Sequence, residues 1–483
     1  MTFVESSQEL SEAPPTTETV VRLGVSVRGD APPLSFSRTD SPCSTNSGRG
    51  DLGTEVPGKG GGCWKAINAG DLEVREFGAK CDGLTDDARA VAAADAAASR
   101  LPNGRVLFPA ASCSISSPIT VPDSITWQGK GAIQTAILIR FPAGDAIIAH
   151  NAVHIGDMGF AMAPGISRSS GSFVTFSGSG DTLEGFVMKG YVVGINLAGS
   201  SATDLVVVPT ITNGRFFEPS TSRPDSTVAI YIQNFSSASV SNVTISGYAN
   251  AQAPAHSVLV RNGDTLFIDK INATLHGTFA VTPGSGENTY SVRISNALFD
   301  SAGVGTGKAG VDACILAGSG GIFDTQMSNV WCGLSTGTGL LIAPTSGGTV
   351  QGVDIANIQA VGNHSDSASV ANSGIRMGSQ LGGTVAYINI TGGCSSGNAN
   401  PRNDGSAWAL WLNGSVSHVG VTNFIGGNCD GRGKNSNGLK IDSTVDYVRL
   451  NALDFSGNVG LAYSNSSRGT HFQPKDLTRS LIQ

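Results

Sequence analysis

The carboxylates Asp269, Glu287, Asp300, Asp312 and Asp324 fall in one stretch of the chain. Two carboxyl groups flanking a bond are what glycoside hydrolysis needs, one to donate a proton and one to activate water or attack directly. Glu287 sits in the segment GSGENTY, Asp300 follows the alternating stretch around Val292 and Ile294, and Asp324 immediately precedes Thr325 and Met327. These three are the first candidates. Asp312, in the apolar run AGVDACILA, and Asp269 are reserves. Isolated turn-capping Asp residues are common, so the cluster carries more weight than any member. Environment decides which carboxyl keeps its proton, so no acid or base role is assigned from sequence.

Groups suited to holding a sugar polymer lie in the same stretch. Trp331 and Tyr290 offer ring faces, and Arg293, Arg261 and Lys270 offer donors; Trp408, Trp411 and Tyr231 are further aromatics of the chain. A second chemistry is β-elimination from a uronate, which needs a base and a cation beside the carboxylate. Lys270, His276, Arg261 and Arg293 are its candidates. A third reading, from a different class, is binding without cleavage. No compact Asp cluster suggests a calcium site from about residue 115 onward, and Asp82, Asp86 and Asp87 serve a helix start instead. His154, His256, His364, His418 and His471 are scattered without metal spacing, and no P-loop occurs. No metal or cofactor is therefore expected.

The elements that must position these residues show a period of two. Apolar pairs flanking one residue recur at Val153/Ile155, Leu183/Gly185, Val243/Ile245, Leu266/Ile268, Val292/Ile294, Thr325/Met327, Val353/Ile355, Ile388/Ile390, Val419/Val421 and Val448/Leu450. From Val243 onward their starts are 23 to 35 residues apart, a loose repeat that marks a solenoid. Asn296, Asn329, Asn357 and Asn423 share one offset in these units. Asn tolerates the left-handed backbone of a tight bend, and stacked Asn side chains can bond up a ladder. One coil per repeat gives a parallel β-helix. A β-sandwich array or a propeller is the rival, and irregular coil lengths without a blade motif argue against the propeller.

Ahead of the repeats, Thr85, Asp86 and Asp87 precede the alanine-rich run Ala88 to Ala98, with Pro102 and Gly104 beyond. This reads as a helix over about 85–101, N-capped by Thr85 and placed to plug the open end of the solenoid. Residues 1–70 read as an arm or small β module, 71–465 as the solenoid with its helix, and 466–483 as a short tail.

Composition narrows the classes. Glycine is 64 of 483 residues while charged residues are 14% and aromatics 6%, which excludes a coiled coil or helical bundle. Net charge is −7, from 30 Lys and Arg against 37 Asp and Glu, so nucleic-acid binding through a basic face is not expected. No apolar run is long enough to insert in a membrane as a helix, and the first twenty residues carry no visible signal peptide. The eight cysteines show no CxxC pair and are read as unpaired structural thiols, Cys43–Cys63 being the one bridge considered.

The runs VREFGAKCDGLTDDARAVAAADAA (74–97) and GRVLFPAASCSISSPITVPDSITWQGKG (104–131) resemble the entry signature of the pectate-lyase-like right-handed parallel β-helix superfamily. Cys81 replaces the usual Gly there, and Cys113 stands where Tyr is common. GDLGTEVPGKGGGCWKAINAGD (50–71) is similar to the corresponding region of bacteriophage tailspike depolymerases. The resemblance covers about 60 residues closely. It implies an all-β right-handed parallel β-helix with an N-terminal capping helix. It also implies a bacterial surface or capsular polysaccharide as substrate, a homotrimer, virion attachment through residues 1–70, and a place on a virion tail or outside the cell after lysis. The superfamily's polygalacturonase and calcium pectate lyase motifs are not intact, so those two activities are not carried over.

Overall fold

The computed structural model describes residues 2–67, 70–102, 104–220, 226–247, 255–275, 277–304, 310–363, 373–378, 382–398, 407–431, 433–456, 458–467 and 473–475. It divides into two compact units, residues 1–189 and 190–483.

The first unit opens with a five-stranded sheet in the order Thr2–Val4, Thr19–Arg22, Leu34–Thr39, Cys63–Ala66, Glu55–Pro57. The first pair is parallel and the others antiparallel. Val4, Leu10, Val20, Phe36, Val56 and Trp64 form its core. Arg22 is fully buried. Its Nη1 donates to Ser7 Oγ at 3.0 Å and to the Leu52 carbonyl, and its Nη2 to the Glu76 carbonyl at 3.3 Å. A buried guanidinium needs such partners to offset its lost hydration.

The helix that follows spans Ala88–Ala98, shorter than the 85–101 expected. Thr85 is not its cap. Thr85 belongs to the strand Asp82–Asp86, and Asp87 is the N-cap. The Asp87 carboxylate accepts from the backbone of Lys80 at 2.6 Å and Ser114 at 3.0 Å, and so ties the helix to the first coil. Val91, Ala94 and Ala98 face inward, and Trp127 Nε1 donates to the buried Asp95 at 2.6 Å. Coils then stack in parallel, with Val106, Trp127, Ile155 and Leu183 in one buried column. Gly185, read from sequence as an inward residue, sits instead at φ +61°, and Phe186 takes the buried place.

The second unit is built on the same principle, its described strands pairing in parallel. Crossover connections between parallel strands are right-handed, and the chain is a right-handed parallel β-helix. Three faces recur. The first carries strands such as Val228–Gln233, Cys314–Gly318, Ser373–Met377 and Trp408–Leu412. The second carries Asn288–Ser295, Gly321–Ser328, Val416–Thr422 and Asp446–Asn451. The third carries Leu298–Asp300 and Trp331–Gly333. The longer strands Gly263–Thr274, Thr349–Val361 and Thr384–Ser396 bend and serve two faces.

The bend is made by a left-handed residue. Asn296, Asn329, Asn357 and Asn423 lie at φ +51° to +55°, as their shared offset predicts. Asn329 Nδ2 donates to Asn296 Oδ1 at 3.2 Å, and Asn357 Nδ2 to Asn329 Oδ1 at 3.3 Å. A second ladder, invisible in the repeat pattern, runs inside the coils through Asn363, Asn398 and Asn435.

The cysteines overturn the thiol reading. All eight pair, as Cys43–Cys63, Cys81–Cys113, Cys314–Cys332 and Cys394–Cys429. The paired residues are 18 to 35 positions apart, a spacing comparable to one coil. Stacking of adjacent coils brings Cys81 to Cys113 and Cys394 to Cys429, while Cys314 and Cys332 face each other within one coil and Cys43–Cys63 closes the N-terminal sheet. Among the described residues, no helix is long and apolar enough to cross a membrane.

Candidate functional site

The second face is built from the apolar pairs themselves. Their inward members form columns such as Ile268, Ile294, Met327, Ile355, Ile390, Val421 and Leu450, all buried. Side chains alternate along a strand, so the residue between each pair points outward. This places Phe267, Arg293, Gln326, Asp354, Asn389, Gly420 and Arg449 in register on the surface.

A second outward column borders the first. Ser291, Asp324, Gly352, Tyr387, His418 and Tyr447 occupy equivalent bulge positions, with φ between +52° and +70°. Tyr387 stacks on His418 at 4.6 Å between ring centres, and His418 on Tyr447 at 4.5 Å. Phe267, Tyr290, Tyr387 and Tyr447 are 50%, 42%, 51% and 43% exposed. They are the exposed Phe and Tyr side chains of the second unit among the described residues, and all four lie on this face.

Shallow depressions mark the same surface. One of about 400 Å³ is lined by Asn389, His418, Gly420, Tyr447 and Arg449. The next, about 300 Å³, is lined by Gln326, Ser328, Asp354, Asn389 and Thr391. Asn389 borders both, and its Nδ2 donates to Asp354 Oδ1 at 2.9 Å. A third, about 390 Å³, lies at the bend to the third face beside Asn329, Trp331, Asn357 and Gln359.

Several residues singled out from sequence meet on this face. Arg293 grips Asp324 with Nη1 3.1 Å from Oδ1 and Nη2 2.9 Å from Oδ2, and Ser291 Oγ donates to Oδ2 at 3.2 Å. The Arg293 fork holds the Asp324 carboxyl below the usual carboxylate range. Tyr290 stacks on Phe323 at 5.2 Å. Asp269 accepts from Ser295 Oγ at 2.7 Å and Asn296 Nδ2 at 2.9 Å, which also lowers its carboxyl, and Lys270 Nζ lies 3.8 Å away.

The others are placed apart. Glu287 stands at the turn leading into this face, with Arg261 Nη2 at 3.1 Å and the Gly284 N–H at 2.6 Å. Asp300 lies on the third face and accepts from Trp331 Nε1 at 3.1 Å. Asp312 precedes a first-face strand, where burial pushes its carboxyl up to about 6 against the opposing Thr338 N–H at 2.6 Å. Near it, the Arg376 guanidinium lies 4.5 Å from the Trp411 ring, whose Nε1 donates to Asp442 at 3.0 Å. His276 lies outside the described residues. The close groupings of two cysteines with Glu55 or Asp87 consist of disulfide-bonded sulfurs, which are not thiolate ligands.

Asp354, the carboxylate at the centre of the outward column, is not among the candidates named from sequence. Its signal was present, because it is the middle residue between Val353 and Ile355. Reading the middle positions as one aligned column exposes it.

No protein-family profile and no curated protein matches the chain. Solved structures do. A tailspike capsular polysaccharide depolymerase of the Acinetobacter baumannii bacteriophage Fri1 is similar at 10% identity, covering 86% of this chain and 75% of that one, with a TM-score of 0.49. The Azotobacter vinelandii mannuronan C-5 epimerase AlgE4 A-module is similar at 14% identity, covering 84% and 100%, with a TM-score of 0.46. PfbA, a surface adhesin of Streptococcus pneumoniae, is similar at 12% identity, covering 82% and 94%, with a TM-score of 0.49. The fold itself rests on the strand register.

Proposed function

We propose that the second face of this β-helix binds a bacterial surface or capsular polysaccharide and cleaves it by hydrolysis. The observation that carries the reading is the gathering of Phe267, Tyr290, Tyr387 and Tyr447 on one polar face around the Arg293–Asp324 pair. Exposed rings are costly to hydrate and offer flat apolar surfaces to sugar rings. The interleaved Arg, Asp, Asn and Gln side chains offer donors and acceptors to hydroxyls. Strand spacing repeats such positions about every 4.8 Å, which suits an extended polymer.

For cleavage we assign Asp324 and Asp354. They are outward neighbours on adjacent strands, Asp354 lying two residues beyond Gly352, the partner position of Asp324. Asp324, kept ionised by Arg293, is the base that draws a proton from water. Asp354, whose Oδ1 accepts from Asn389 Nδ2 at 2.9 Å, is the acid in this assignment and gives a proton to the leaving glycosidic oxygen. The C–O bond breaks, the water oxygen joins the anomeric carbon, and one proton is taken up as one is given. Asp269, Glu287, Asp300 and Asp312 remain secondary assignments, with Trp331, Arg261 and Lys270 as flanking binding residues. In the same reading three chains assemble and residues 1–70 attach them to a virion.

Incubation with purified capsular polysaccharides, followed by size exclusion, a reducing-end assay and ultraviolet absorbance, tests this. Shortened chains with new reducing ends and no absorbing product are expected. An absorbing unsaturated product replaces hydrolysis by β-elimination. Co-elution without shortening replaces cleavage by binding alone.

A further inference from the structure

The stacked column on the second face is interrupted at one position. From Tyr447 through His418 to Tyr387 each ring covers the next. The following strand presents Gly352, and the strand beyond it presents Asp324. One face of Tyr387 is covered by His418. The other turns toward the strand where no side chain stands, and Tyr387 remains 51% exposed. A Cβ on Gly352 would meet only the Asp324 backbone, at 3.5 and 3.8 Å, which is ordinary contact.

Glycine is not demanded here by backbone geometry alone. Gly352 lies at φ +70°, while Asp324, Tyr387, His418 and Tyr447 hold the same corner at +53°, +57°, +55° and +52°. This corner therefore accommodates side chains up to the size of Tyr. What the glycine provides is space, between a ring face on one side and a carboxylate on the other.

We infer that the gap at Gly352 is the seat of one sugar ring of the bound polymer, with Tyr387 as its platform and Asp324 facing its reactive bond. The inference rests on the hydrolase reading above and adds to it where on the face the cleaved unit sits. The apolar face of a pyranose fits against the free side of Tyr387, as a further ring would continue the stack. Asp354 and Gln351, on the same strand as Gly352 and both exposed, border the gap. Tyr387 is thus a binding residue and Gly352 a residue that determines what fits.

The test is Gly352→Tyr, which would extend the stack by one ring, with Gly352→Asn as a smaller filling side chain that favours left-handed backbone. Both are compared with the wild-type chain on purified capsular polysaccharides, reading chain length and binding, with circular dichroism and thermal melting to confirm folding. The expected result is cleavage by wild type, loss of at least about tenfold in Gly352→Tyr, and a smaller loss in Gly352→Asn, with strand content retained and melting temperatures lowered by at most a few degrees by the left-handed backbone. Cleavage by folded Gly352→Tyr or Gly352→Asn at the wild-type rate overturns the seat and leaves the hydrolase reading standing. A wild-type chain that neither binds nor shortens any polysaccharide of the panel overturns both.

Discussion

The guanidinium of Arg293 closes on the carboxylate of Asp324, one coil further along, through two hydrogen bonds of 3.1 and 2.9 Å. The two residues are 31 positions apart in sequence and neighbours in the sheet. A fork of this kind stabilises the ionised carboxylate, so Asp324 keeps its charge at lower pH than an isolated Asp would. Asp324→Asn is expected to lower polysaccharide cleavage by at least about a hundredfold, the scale of a lost general base. Arg293→Ala removes the stabilising charge, so the acid limb of the pH–rate profile moves upward. A limb that stays in place in the Arg293→Ala enzyme would show that another group is the base.

The exposed rings carry a separate prediction. Tyr290→Ala and Tyr447→Ala should each weaken polymer binding by roughly five- to thirtyfold, corresponding to about 1–2 kcal/mol for a stacking platform. Affinity electrophoresis in gels containing the polysaccharide measures this. Unchanged mobility for both variants would place the polymer elsewhere.

Asp95 predicts a pH effect on stability. It is completely buried beneath the first coil, with Trp127 Nε1 on one oxygen and no partner on the other. Burial pushes its carboxyl up to about 8, against the lowering effect of the Trp127 bond. The folded state then holds the proton more tightly than the unfolded chain. The resulting stability is fully present below the unfolded carboxyl range near 4 and is lost progressively as pH rises toward 8. Asp95→Asn keeps an acceptor for Trp127 without titrating. Its urea midpoint should match wild type near pH 4 and exceed it near pH 8.

The bridge Cys81–Cys113 closes a 32-residue separation around the capping helix. Chain entropy assigns such a closure about 3–4 kcal/mol. Cys81→Ser with Cys113→Ser should lower the melting temperature by several degrees without changing the strand content seen by circular dichroism. A melting curve identical to wild type would show that this link adds nothing to stability.

The interior Asn ladder should be far more costly to break than the exterior one. Asn398 is fully buried, accepts from the Asn363 backbone at 2.9 Å and donates to Asn435 Oδ1 at 2.9 Å. Asn398→Ala strands buried groups on both sides, at roughly 1–3 kcal/mol each. Asn357→Ala removes an exposed rung and puts Ala in left-handed backbone, an effect expected at about 1–2 kcal/mol. Chemical denaturation of the two variants compares them directly, and equal costs would contradict this ordering.

What the residues determine by themselves is local. Val353 and Ile355, or Ile388 and Ile390, alternate because a strand has a period of two, so the inward and outward sides are legible without any structure. The Asn296, Asn329 and Asn357 bends are legible for the same reason, since left-handed backbone is a property of the residue and its neighbours. The helix was legible in place, though its cap was not. Thr85 is taken into the strand Asp82–Asp86, and the Asp87 carboxylate turns to the Lys80 and Ser114 backbone, contacts that no local pattern shows. Tertiary structure decided which coil residue meets which. Repeats of 23 to 35 residues leave the pairing between coils undetermined until loops of unequal length are closed and hydrogen bonds set the register. The pairing of Cys314 with Cys332, the meeting of Arg293 with Asp324, and the open place at Gly352 beneath Tyr387 all depend on that register. Cys314 meets Cys332 across the interior of one coil and the other two are contacts between coils, and the alternation along any single strand carries no information about them.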